Sequence, residues 1–440
     1  MCLLSMPPII SFTVNQHTQQ QYAVPAKRIH DSNYKILEAT DSIKEERRLP
    51  ESAPTPKFTV FKANTDKHSS YRIPAIIGLS NGDLLAFCEG RKEGSADFGD
   101  INIVMKRSRD SGKTWSPIQT IVDYGVLQAG NPAPVVDRTD PNYPKGRIFL
   151  FYNTGNNHEH EVRKGNGLRE VWYISSVDQG HSWSEPTNIT TSVHRPMQPQ
   201  TNSAYQFAED WRGYANTPGH AVQFPGGKFK GRIFVAANHS AGDPKSDFTD
   251  YDAHGFYSDD HGKTFHLGSS LQFPGSNEST ATYLSADRLM INSRNQQGHI
   301  PARIVGISRN GGLSWDTTYF DYTLPDPVCQ GALLTLGKKN GRNILAFCNP
   351  ADPHQRDNLT LRISFDDGQT WPQSVMIEKS EGTFDGAFTA YSDIVRLKDG
   401  SIGVLYERDH YREITFTRIP RKVGKGHYQS KRISLDESAH

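Results

Sequence analysis

A chain of 440 residues with a formal net charge of +1 carries no electrostatic footprint for nucleic acid. It has no run of about 18 apolar residues, which excludes a membrane-spanning helix, and four cysteines in this length exclude a disulfide framework. Frequent Gly (37) and Pro (26), with 10% aromatics, point to many short strands joined by tight turns.

Residues 1–14 are mildly apolar, but no Lys or Arg precedes them and Pro7 and Pro8 interrupt them, so a signal peptide is not expected. Residues 15–56 are rich in Gln, Lys, Glu and Pro without apolar periodicity. The first 56 residues therefore read as a mobile leader. Lys57–Lys62 (KFTVFK) reads as a strand. Short apolar runs then recur at 83–88, 147–152, 232–237, 288–292, 343–348 and 401–406. Such runs suit strands buried on both faces and are taken as the inner strands of successive units. Cys88 and Cys348 lie within two of them and read as buried free thiols. Residues 424–440 are polar and read as a flexible tail.

A second repeat runs in step with the first. The pattern Ser-x-Asp-x-Gly-x-Thr-Trp, with variations, recurs at 108–115, 176–183, 258–265, 308–315 and 364–371. Its physics is that of a hairpin turn. Asp or Asn accepts hydrogen bonds from its own turn, Gly takes a positive φ, and the aromatic packs the start of the next strand. Asn310 replaces Asp in the fourth copy and Phe265 replaces Trp in the third. The boxes are structural. Each of the first five apolar runs precedes a box by room enough for a few strands, and the sixth ends the chain. Residues 57–423 are therefore expected to form an all-β, six-bladed β-propeller, with Lys57–Lys62 closing the last blade as its outer strand.

These boxes, together with Tyr71-Arg72-Ile73-Pro74, resemble the exo-α-sialidases (neuraminidases) of the bacterial and animal lysosomal kind, over about residues 57–420. The resemblance implies a site residue by residue. Its carboxylate-binding arginines fall on Arg72, Arg294 and Arg356. Its acid/base falls on Asp97, its base-assisting glutamate on Glu278, its nucleophile on Tyr391, and a further glutamate, partner of Arg72, on Glu407. Asp97 competes with Asp100, which leads directly into a strand. Arg91 reads either as a contact to a substrate hydroxyl or as structural. No catalytic position is missing.

The residue types suit the chemistry. Sialic acid carries a carboxylate on its anomeric carbon, and guanidinium forks bind carboxylates bidentately. A carboxylate nucleophile would meet like-charge repulsion there, whereas a neutral phenol does not. With a reference pKa of about 10, that phenol needs a base, and Glu278 is the candidate. Asp97 would protonate the leaving oxygen and then deprotonate water, with retention of configuration. Hydrolysis of terminal α-linked sialic acids from glycoproteins, gangliosides and oligosaccharides is the expected activity. The alternatives are a non-catalytic sialoglycan-binding propeller, a trans-sialidase, or an enzyme forming an anhydro product. No cofactor or metal is implied. His158-Glu159-His160-Glu161 lacks a third ligand and reads as a solvated loop.

Overall fold

The structure is a computed structural model that describes residues 47–48, 55–381 and 387–420. The expected leader, apart from Arg47–Arg48 and residues 55–56, lies outside the described residues, as does the expected tail. The described chain is all-β and arranged as a β-propeller. Two helices of about one turn, Glu159–Arg163 and Thr190–Val193, interrupt it. The first of these occupies part of the run read as a loop at 158–161. There Glu159 accepts a hydrogen bond from the Tyr251 hydroxyl at 2.7 Å.

The blade count needs correcting. Hydrogen bonding gives four separate blades of four or five strands and one sheet of eight strands, not six equal sheets. The eight-stranded sheet contains two antiparallel sets, Ser70–Gly78 through Gln119–Val122 and Gln128–Asp137 through Thr187–Asn188. They are joined by one parallel pair, Ile101 with Gln128. The cause is the short connection from Val122 to Gln128, in which Leu127 O accepts from Ile101 N at 3.4 Å. It leaves the next strand against the edge it has just left.

The apolar runs also occupy a different position from the one expected. In five sets they are second strands, each preceded by the strand that lies nearest the axis: Ser70–Gly78, Gln128–Asp137, Ser276–Tyr283, Ala332–Lys339 and Thr389–Arg396. In the remaining set, Trp211–Asn216 and Val222–Gln223 together precede Ile233–Ala241. First strands touch one another around the ring. Ile76 N donates to Asp393 Oδ2 at 2.8 Å, Ala221 N to Pro134 O at 3.0 Å, Ser279 N to Thr217 O at 2.9 Å and Thr335 N to Thr282 Oγ1 at 3.1 Å. The second strands pack between neighbouring sheets on both faces. That is why they are the apolar ones: every residue of Leu84–Arg91 is buried.

The boxes behave as their pattern predicts. In the first, Asp110 Oδ1 accepts from Lys113 N, Thr114 N and Ser108 Oγ at 2.9–3.0 Å, and Oδ2 accepts from Thr114 Oγ1 at 2.6 Å. The copies centred on Asp178, Asp260 and Asp366 repeat the contact to the hydroxyl four residues on. Each box glycine also packs against the set before it. A Cβ would strike Leu85 at Gly180, Phe149 at Gly262, Phe234 at Gly312, Met290 at Gly368 and, across the ring, Phe416 at Gly112. Lys57–Lys62 pairs antiparallel with Glu413–Ile419, so a strand that precedes the first set covers the edge of the last. Cys88, Cys329 and Cys348 are buried free thiols.

Candidate active site

Backbone irregularities at one height of the first strands set the site. The register shifts between Arg72 and Ala75, between Gly130 and Ala133, between Ser276 and Ser279, and between Thr389 and Ser392. A bulge bends its strand and re-aims side chains. These bulges hold or adjoin Arg72, Asn131, Glu278 and Tyr391. Ile73 takes φ 61°, a costly conformation for a β-branched residue, and its N–H is turned onto Glu407 Oε1 at 2.8 Å.

All eight residues singled out from the sequence come together at this mouth. Tyr391 is at its centre. Its hydroxyl donates to Glu278 Oε1 at 2.5 Å and accepts from Arg294 at 3.0 Å. Arg294 also donates to Glu278 Oε2 at 2.7 Å. The Arg72 and Arg356 guanidinium carbons lie 5.4 and 5.6 Å from the Tyr391 ring centre. Three arginines thus surround one phenol. Burial pushes that phenol well above its ordinary pKa and Glu278 adds to the rise, while Arg294 and Arg356 oppose it.

Glu407, fully buried, accepts from Arg72 Nε at 2.7 Å and from Tyr391 N at 3.2 Å. Burial disfavours the Arg72 charge, but Glu407, with Tyr411 and Tyr391 beside it, outweighs that and keeps the group cationic. Arg356 follows the fifth apolar run, and its carbonyl accepts from Phe388 N and Thr389 N at 3.0 and 2.9 Å, tying it to the strand that carries Tyr391.

Asp97 sits on the loop after Leu84–Arg91 with an exposed side chain. It accepts from Arg91 at 2.7 Å and lies 4.0 Å from Arg72. Although the carboxyl is open to solvent, the protein mass around the mouth works against its charge, yet Arg91 and then Arg72 prevail and hold it below the usual range. The rival Asp100 is turned to Lys92 at 3.0 Å. Arg91 is itself fixed by Glu89 at 2.6 Å.

Two residues escaped the sequence reading. Glu89, buried, accepts from Arg91 and, through Oε1, from Asn131 N at 2.9 Å. Tyr411 lies with its ring centre 3.9 Å from the Arg72 guanidinium carbon, and its hydroxyl accepts from Arg356 at 3.1 Å. Glu89 directly follows the apolar run at 83–88 and reads as its polar end, and Tyr411 lies in a turn without the glycine that usually flags one.

Below the site, Asp393 Oδ1 pairs with His220 Nδ1 at 2.6 Å, and Gln330 bonds to Pro218 and Ser392 backbone. These groups separate the mouth from a cavity of about 610 Å³ at the other end, lined by Ile76, Val135, Thr282, Leu334 and Ile394 among others. Asp137, Asp140 and His261 form the one potential metal cluster among the described residues. There, Asp137 Oδ2 is already taken by His261 at 2.6 Å, and Oδ1 by Thr139 and Gln223.

A family described as "BNR repeat-like domain" matches residues 82–404. The chain belongs to that family. Similar relatives within reach of it are sialidases. A "Sialidase" of Micromonospora viridifaciens is 30% identical over 365 residues, covering 77% of this chain and 50% of that protein. The chain therefore spans half of that relative's length. An "Exo-alpha-sialidase" of Aspergillus fumigatus is 27% identical over 394 residues, covering 82% and 86%. Among solved structures, a "Hadza microbial sialidase Hz136" matches with a TM-score of 0.69 at 25% identity, covering 83% of this chain and 68% of that one. An intramolecular trans-sialidase from Ruminococcus gnavus shares the fold, with a TM-score of 0.62 at 15% identity and coverage of 83% and 97%. The expected resemblance to sialidases thus holds across the greater part of the chain.

Proposed function

We propose that this protein is a glycoside hydrolase, an exo-α-sialidase that removes terminal α-linked sialic acid with retention of configuration. The observation that carries this reading is the Tyr391 hydroxyl, held between Glu278 and Arg294 with Arg72 and Arg356 beside the same ring.

In this mechanism Arg72, Arg294 and Arg356 bind the substrate carboxylate. Tyr391 Oη attacks the anomeric carbon as Glu278 takes the phenolic proton. The bond to the leaving oxygen breaks, and Asp97 gives that oxygen its proton. Water then attacks the same carbon and gives a proton to Asp97. The phenolate departs and recovers its proton from Glu278. Glu407 keeps Arg72 in place, and Arg91, fixed by Glu89, orients Asp97. The depressed Asp97 carboxyl pKa fits a first step prepared by substrate. A carboxylate bound at Arg72 cancels part of the field that holds Asp97 ionised.

We also read the eight-stranded sheet as two blades, giving six in all. Support comes from the single pair that joins its halves and from the cyclic packing of box glycines. Natural substrates would be sialylated glycoproteins, gangliosides or oligosaccharides.

The test is release of fluorophore from an α-sialoside by wild type, Tyr391→Phe and Arg356→Ala. Hydrolysis by wild type and its loss in both variants is expected. Activity that survives both changes overturns the site, and absence of activity in wild type overturns the function.

A further inference from the structure

We infer that Tyr411 is a positioning residue of the carboxylate receptor: an uncharged clamp that fixes Arg72 and Arg356 to each other. This rests on the proposed sialidase reading and adds to it a residue outside the constellation that the resemblance implies.

The geometry is specific to two arginines. The Tyr411 ring lies over the Arg72 guanidinium, 3.9 Å from centroid to carbon, at stacking distance. Its hydroxyl accepts from Arg356 at 3.1 Å. Besides the Tyr391 ring, which both face, and Asp97 at 4.0 Å from Arg72, each guanidinium has one further hydrogen bond. Arg72 is held at Nε by Glu407, at 2.7 Å, and Arg356 gives its other terminal nitrogen to Val328 O at 3.0 Å. One hydrogen bond fixes one edge of each fork and leaves the rest to softer ring and charge contacts. The tyrosine supplies a further restraint to both.

Its chemistry matters as much as its place. An acidic side chain here would hold the same arginines but would occupy them. Substrate carboxylate would then have to displace it. A phenol ring restrains the cations without neutralising them, so the receptor keeps its charge and loses its freedom.

The backbone is bent to deliver this side chain. Asp409, His410 and Tyr411 take φ of 50°, 55° and 63°, three consecutive non-glycine residues in the left-handed region. They form the hairpin between Ile402–Arg408 and Glu413–Ile419, four residues beyond Glu407. Strain kept at a residue that touches two candidate binding arginines points to function rather than to packing.

The experiment compares full-length wild type, Tyr411→Phe and Tyr411→Leu in steady-state hydrolysis of a fluorogenic α-sialoside, with thermal midpoints for each. Calorimetry of free sialic acid binding accompanies it. Phe keeps the ring over Arg72 and removes only the bond to Arg356, and Leu removes both. A loss of ground-state positioning appears in KM. We expect KM to rise roughly threefold in Tyr411→Phe and tenfold or more in Tyr411→Leu, with kcat within about threefold of wild type. Sialic acid affinity should fall in the same order, and the Tyr411→Phe midpoint should stay at the wild-type value. An unchanged KM and affinity in Tyr411→Leu overturns the inference, as does a Phe variant as impaired as Leu together with a lowered midpoint. Wild type without hydrolysis strikes the functional reading instead. Calorimetry then still decides whether Tyr411 serves an anion receptor.

Discussion

Glu407 Oε1 lies 2.7 Å from Arg72 Nε, with the carboxylate wholly buried. The same oxygen accepts from Ile73 N and the other from Tyr391 N. One side chain therefore sets the first arginine, the bulge beside it and the backbone of the candidate nucleophile. Glu407→Gln keeps the shape but removes the charge and turns one acceptor into a donor facing an N–H. Leaving a buried cation unpaired costs about 3–5 kcal/mol. Urea titration should show stability falling by that order, and kcat/KM should fall by at least tenfold in the molecules that remain folded. An unchanged denaturation midpoint would contradict the role assigned to Glu407.

Asp97 offers a prediction with a definite sign. The protein around the mouth favours its neutral form, open though the side chain is, but Arg91 at 2.7 Å and Arg72 at 4.0 Å hold its carboxyl below the ordinary range. As a general acid it works protonated, so activity falls as pH rises through its pKa. Arg91→Gln removes the nearer cation and raises that pKa. The alkaline limb of the kcat profile, which reports the substrate complex, should therefore move to higher pH, even as the maximum drops. A limb that stays in place, or moves to lower pH, would rule out Asp97 as the group that sets it.

Much of this arrangement was legible in the sequence, for physical reasons. The box residues Ser108, Asp110, Gly112 and Thr114 satisfy one another locally, so their spacing carries their geometry. Apolar runs such as Leu84–Arg91 mark strands buried on both faces. Other features were not legible. Radial order is set by contacts between sets, so the apolar runs were mistaken for the innermost strands. The joining of two sets at Ile101 and Gln128 depends on one long-range pair. The site's bulges arise from pairing between strands, and nothing local announces them at Glu278 or Tyr391. Tyr411 is invisible for the same reason, because its partners lie 339 and 55 residues away, at Arg72 and Arg356.

Gly112 and Gly125 separate conformational strain from packing. Both have positive φ, 88° and 65°. A Cβ on Gly125 meets nothing within 4 Å, whereas one on Gly112 would lie 2.0 Å from the Phe416 ring across the ring closure. Gly125→Ala should cost about 1 kcal/mol, the backbone term alone. Gly112→Ala should add about 1–3 kcal/mol of overpacking to that. Both variants should keep wild-type turnover per folded molecule, since neither touches the site. Equal thermal midpoints for the two would show that Phe416 does not press on the first box.

The first box also predicts how stability depends on pH. Asp110 is held at a pKa of about 2: burial works against its charge, and the Thr114 hydroxyl and amide, Ser108 and Lys113 N–H together outweigh it. Its folded pKa is depressed, so its contribution is fully present above the unfolded value of about 3.9. That contribution is lost as pH falls from about 4 toward 2. The chain already carries the neutral counterpart. Asn310 in the fourth box accepts from Ser314 N at 2.9 Å and donates to Ser314 Oγ at 2.7 Å. Asp110→Asn should therefore fold. At pH 6 it should be less stable than wild type by under about 1 kcal/mol, because the box faces solvent. Between pH 5 and pH 2 that gap should close, as wild type loses what the variant never had. Denaturant titrations across this range decide the matter. A gap that stays constant or widens on acidification would mean that Asp110 ionisation does not stabilise the turn.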